Sequence, residues 1–155
     1  MLILAVGWAI VAARLQKPLN RTLTRLAWSQ FWLVVANSIA GGISVLTGLN
    51  PYVVALHFVL AIALLTTTTL TWHRARQAIL EPTPRLAVVQ RKSAILSVLL
   101  VSTTFVLISI GTLVTGSGQH SGDSAGVPRM GFVWAHVTVV HGVLGTLVLV
   151  LALVL

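Results

Sequence analysis

The sequence predicts an all-α membrane protein: a four-helix transmembrane bundle preceded by the end of a further helix. Three observations predict it. Of the 155 residues, 57% are hydrophobic and only 8% are charged, whereas a soluble domain carries about 25% charged residues to face water. Residues 27–48, 53–72, 94–115 and 132–155 contain no Asp, Glu, Lys or Arg, and each is as long as the roughly 20 residues that cross a hydrocarbon core as a helix. These runs are apolar all round, while a membrane β-strand alternates polar and apolar positions over about ten residues. Helices are therefore the expected form, because in lipid each backbone group must be bonded within its own segment.

Taken in order, the opening run Leu2 to Ala13 is too short to span, so residues 1–13 are expected to be the last part of a transmembrane helix. Arg14 and Lys17 follow that run, which reverses the order of a cleavable signal peptide, where charge precedes the apolar core. Residues 14–155 then form the four-helix unit. The first connection, residues 14–26, carries Arg14, Lys17, Arg21 and Arg25. The third, residues 73–92, carries Arg74, Arg76, Arg85, Arg91 and Lys92, with Pro82 and Pro84 marking a linker. Residues 49–52 bear no charge, and residues 116–131 carry Asp123 and Arg129. By the positive-inside rule the two basic loops are cytoplasmic and the protein is a multi-pass component of the cell membrane. Trp28, Trp32 and Trp72 then fall near the inner interface and Trp134 near the outer one, as aromatic belts do. The net charge of +8 does not indicate nucleic acid, because the basic residues cluster between apolar runs and lack the interleaved polar residues of a binding face. With no cysteine, disulfides and thiolate metal sites are excluded.

Since the spans hold no carboxylate, histidine is the ionisable group left at depth. His57 is expected about five residues, some 7 Å, into its helix, and His141 about ten residues, some 14 Å, into the last one. Both helices run from outside to inside, so both imidazoles fall in the outer leaflet. Polar groups there face the protein interior. Two readings stand: each ring bonds a Ser or Thr of a neighbouring helix, or the neutral nitrogens of both clamp a haem iron. His136 precedes His141 by five residues, about 140° round a helix, so the two cannot serve one site. His73 reads as a headgroup-level residue beside Arg74. His120 lies in the glycine-rich run Gly116-Ser117-Gly118-Gln119-His120-Ser121-Gly122-Asp123, which suits either a flexible loop or the propionate edge of a haem. Gly41, Gly42, Gly142 and Gly145 allow close approach of helix backbones or of a planar macrocycle. Each hydroxyl of Thr66 to Thr69 is expected to bond a carbonyl one turn back.

An internal echo is visible. Val45-Leu46-Thr47-Gly48 closes the first full run and Leu113-Val114-Thr115-Gly116 closes the third, and each precedes a turn and a histidine-bearing helix. Thr-Gly is also a common helix stop, so a duplicated helix pair and two ordinary stops both explain it.

These residues resemble a known family. Gly41-Gly42-Ile43-Ser44-Val45-Leu46-Thr47-Gly48-Leu49-Asn50-Pro51, then His57, resembles the fifth and sixth helices of heme A synthases of the actinobacterial type. The run 116–123, then Arg129 and His141, resembles their seventh and eighth, with Gln119 where the family usually has Pro. The resemblance covers nearly the whole chain and the C-terminal half of the family. It implies one of two similar four-helix bundles in an oxidoreductase that converts the C8 methyl of heme O to a formyl, giving heme A for cytochrome c oxidase. It further implies that this half holds an electron-passing heme b, with His57 and His141 as axial ligands to its iron. The haem-edge contacts it suggests are Gly116, Ser117, Gly118, His120 and Arg129. The family's catalytic glutamate and cysteine-bearing loop belong to the other half, so no catalytic residue is assigned and this chain alone is expected to make no heme A. Expected partners are the bilayer, haem, an N-terminal four-helix half, and heme O synthase or the cytochrome oxidase assembly machinery, with no nucleic acid. The competing readings are a stand-alone membrane cytochrome b that transfers electrons and a cofactor-free transporter or structural subunit.

Overall fold

The computed structural model describes residues 1–80, 90–118 and 126–155. These form five α-helices: α1 (Leu2–Leu15), α2 (Arg21–Leu46), α3 (Pro51–Leu80), α4 (Arg91–Ser117) and α5 (Trp134–Val154). The described residues contain no strand. The helices α2, α3, α4 and α5 are long and apolar enough to cross a membrane, while α1 is shorter, at 14 residues. The chain is a multi-pass membrane protein.

The helices overrun the charge-free segments on the basic side. α2 starts at Arg21 rather than residue 27, and α3 runs on to Leu80 rather than stopping at residue 72. Arg and Gln are good helix formers, and their long side chains reach water while the backbone stays helical. Side-chain caps mark two of the starts. Asn20 Oδ1 accepts from the amides of Thr22 (3.1 Å) and Leu23 (3.2 Å), and Asn50 Oδ1 accepts from the Tyr52 amide (3.0 Å), with Pro51 as the first residue of α3. Such caps satisfy donors that a helix start leaves bare.

The chain divides into two compact units. The first comprises residues 1–46 and 56–84, and the second residues 47–55 and 85–155. In the first, Ala13 of α1 packs with Leu23 and Ala27 of α2, flanked by Ile10 and Ala75. The Thr24 hydroxyl reaches the Ala13 carbonyl at 3.4 Å, and the Arg14 guanidinium lies 5.6 Å from the Trp28 ring centre. The inner stripe of α2 repeats every seven residues: Leu23, Gln30 and Ser44 are buried, as is the amide oxygen of Asn37. Ala27 and Val34 fill the intervening turns. This a/d spacing is that of a helix seam, but three of its positions are polar. Gln30 donates to the Thr71 hydroxyl and to the Thr67 carbonyl on α3.

In the second unit α4 packs against α5. Gly116 sits in the last turn of α4, where the Met130 amide donates to its carbonyl at 2.9 Å and the Met130 side chain covers it. Gly118 lies beside the Trp134 indole. No residue of α5 is buried, and large apolar side chains such as Val139, Val143, Leu149 and Leu153 stand exposed. A water-soluble fold does not leave such a surface bare; hydrocarbon is its natural solvent.

The two Thr-Gly steps are not structural equivalents. Gly48 follows the end of α2 with φ +61°, a conformation glycine adopts without penalty. Gly116 lies inside a helix that continues to Ser117. Only the first is a helix stop.

Candidate functional site

α3 starts at Pro51 and α5 at Trp134. His57 is therefore about 9 Å, and His141 about 10.5 Å, along its own helix axis at 1.5 Å per residue. The two histidines lie at nearly equal distances from their helix starts, closer than the charge-free runs suggested.

Within the first unit, the His57 ring faces α2. Its Nδ1 lies 3.0 Å from the backbone carbonyl of Asn37. A carbonyl only accepts, so Nδ1 carries the hydrogen in this bond and Nε2 keeps the lone pair. Gly41 stands one helical turn after Asn37, and a β-carbon there would lie 3.1 Å from His57 Cε1 and 3.3 Å from Nδ1. That spacing is tighter than ordinary van der Waals contact, so the ring occupies the room that the missing side chain leaves.

The second unit repeats the arrangement. The His141 ring faces Gly111 of α4, where a β-carbon would lie 3.1 Å from Cε1 and 3.6 Å from Nδ1. Here Nδ1 is buried and has no hydrogen-bond partner among the described residues. Both rings are half-buried. An iron porphyrin needs neutral imidazole nitrogens on rings held in one orientation. Asn37 and Gly41 hold the His57 ring in one orientation, and Gly111 confines one edge of the His141 ring.

The other candidates fall elsewhere. His136 is exposed in the first turn of α5. His73 is exposed and bonded to the Gln77 amide nitrogen at 2.9 Å. His120 lies outside the described residues. Gly116 and Gly118 are packed against Met130 and Trp134, and the Ser117 hydroxyl is buried without a partner among the described residues. Arg129 lies next to Met130 and makes an interaction of its own. Among the described residues, no three His, Cys, Asp or Glu side chains converge as a metal-binding group.

Asn37, Gly111 and Met130 escaped the sequence reading. Asn37 acts through its backbone, which no residue type advertises. Gly111 has a faint signal: Ser97, Thr104 and Gly111 recur every seven residues along α4, the spacing of a packed helix face. Conversely, Gly42 and Gly142 have nothing within 4 Å of an added β-carbon, and Gly145 has only Leu107 Cδ1 at 3.9 Å. The close approach beside His141 is made by α4, not by the glycines that follow the histidine.

No protein-family model, curated protein or solved structure matches this chain.

Proposed function

We propose that this chain is the haem-binding part of a heme A synthase, in which His57 and His141 are axial ligands of a heme b that passes electrons. The observation that carries the reading is the matched setting of the two rings. In each unit a histidine lies against a glycine of the preceding helix. The His57 ring bonds a backbone carbonyl, and the buried Nδ1 of His141 has no partner among the described residues. The resemblance in residues 41–57 and 116–141 supplies the reaction class, an oxidoreductase acting on heme O. Heme b, when bound, supplies a one-electron carrier. Asn37 holds the His57 Nδ1, and the spans carry no acid or base other than histidine.

The test is the haem content of the purified protein. Expressed in a haem-replete host and extracted in mild detergent, it should carry haem with a six-coordinate, low-spin spectrum. A colourless protein from such cells overturns the reading and favours a cofactor-free subunit.

The orientation belongs to the same proposal, with residues 14–26 and 73–92 in the cytoplasm of a cell-membrane protein. Single cysteines replacing Ala78 and Ser124 should respond oppositely to an impermeant thiol reagent in intact cells. Ala78→Cys stays unlabelled and Ser124→Cys is labelled; the reverse pattern inverts the topology.

A further inference from the structure

In a helix, the carbonyl of one residue already accepts from the amide four residues on, and the side chain at that later position shields its second lone pair. Gly41 is four residues after Asn37, and it has no side chain to do so. The Asn37 carbonyl is thereby open to a second donor, and His57 Nδ1 takes it at 3.0 Å. A β-carbon at Gly41 would press on the edge of the ring that makes this bond, 3.3 Å from Nδ1. One missing methyl thus uncovers the acceptor and admits the donor.

The same parts stand in the second unit. Gly111 is four residues after Leu107 and meets the Cε1 edge of His141 at the same 3.1 Å. The Leu107 carbonyl is the counterpart of Asn37's, and the buried Nδ1 of His141 has no hydrogen-bond partner among the described residues. We infer that Gly41 and Gly111 are positioning residues: each uncovers a helix carbonyl, of Asn37 and of Leu107, to which the opposing histidine gives its Nδ1 hydrogen. Each leaves Nε2 as the nitrogen offered to a metal. The inference deepens the haem reading, on which its last clause rests. The hydrogen bond itself belongs to the protein alone.

The two rings are not held equally. His57 has its bond in place, whereas the Nδ1 of His141 makes none among the described residues. A hydrogen bond at Nδ1 raises the basicity of the other nitrogen, so His57 is the firmer ligand and His141 the one an added ligand displaces.

The experiment compares Gly41→Ala and Gly111→Ala with Gly42→Ala and Gly142→Ala. All four place alanine, the better helix former, inside a helix, but only the first two meet a ring. The first readout is the tautomer of each histidine in haem-free protein labelled with nitrogen-15, recorded on the neutral rings. His57 should hold its hydrogen on Nδ1, and Gly41→Ala should shift that balance about fivefold toward the other tautomer, the worth of one ordinary hydrogen bond. Gly42→Ala should shift nothing. The second readout is the spectrum of the haem-loaded protein. Gly41→Ala and Gly111→Ala should each raise the high-spin fraction, and carbon monoxide should displace His141 before His57. Unchanged tautomers and an unchanged low-spin spectrum in Gly41→Ala overturn the inference while leaving the haem reading intact. A colourless wild-type protein that still shows the His57 tautomer shift supports the hydrogen bond and overturns the haem reading alone.

Discussion

On the proposed haem reading, haem is expected to be lost, or its iron to become five-coordinate and high-spin, when either His57 or His141 is replaced by alanine, and to be unaffected by His136→Ala. Two imidazole ligands give a low-spin iron, and removing one leaves an open coordination position that carbon monoxide fills. Alanine offers no substitute, and no three His, Cys, Asp or Glu side chains converge as a metal-binding group among the described residues. His136 is exposed at the start of α5, about 140° round the helix from His141. The measurement is the ratio of haem to protein together with the visible spectrum of each purified variant. A normal low-spin spectrum in His141→Ala would sink the assignment, and haem lost only in His136→Ala would move the ligand one and a half turns along α5.

The second large effect is on stability. A β-carbon at Gly116 would come within 2.8 Å of Met130 Sδ and 2.9 Å of its Cε, and Met130 is itself 4% exposed. Gly116→Val therefore overpacks a closed contact, at a cost of about 1–3 kcal/mol. Thermal unfolding in detergent should show a midpoint several degrees lower. Gly142→Val, at a helical position with nothing within 4 Å, should show no comparable loss. Trimming the neighbour should relieve the clash, so Gly116→Val with Met130→Ala is expected to be more stable than the two single costs added together, a coupling of about 0.5–3 kcal/mol. Strict additivity would mean that Met130 does not cover Gly116.

What could be read from the sequence follows from which physics is visible in residue types. The spans were legible because lipid demands long charge-free runs, and residues 27–48 and 94–115 meet that demand by composition alone. Their ends were not, because Arg21, Arg25, Arg74 and Arg76 are at once charged and helix-forming, so charge does not mark where a helix stops. Gly41 was legible as a place of close approach, but its neighbour was not. The partner of His57 is a main-chain carbonyl, and any residue at position 37 would bring one. Gly111 is not marked by any motif around His141, because the residue that touches a ring across a helix pair comes from the other helix. The Thr-Gly echo does not carry into the backbone: Met130 packs onto Gly116 inside α4, and a turn forms at Gly48.

The threonines of α3 carry a consequence for how the chain enters a bilayer. Thr66, Thr67, Thr68 and Thr69 each bond the carbonyl four residues back, at 2.8, 3.0, 2.8 and 2.9 Å. Every hydroxyl is thus bonded within its own helix. A transfer scale that counts each threonine as a solvated alcohol undervalues this stretch, since its polar atoms never need lipid to accept them. The segment is partitioned as though it were closer to valine, but only once it is helical. Folding of the segment and its transfer out of water are then one event, and the run reads as polar in an extended nascent chain and as hydrocarbon in the finished helix.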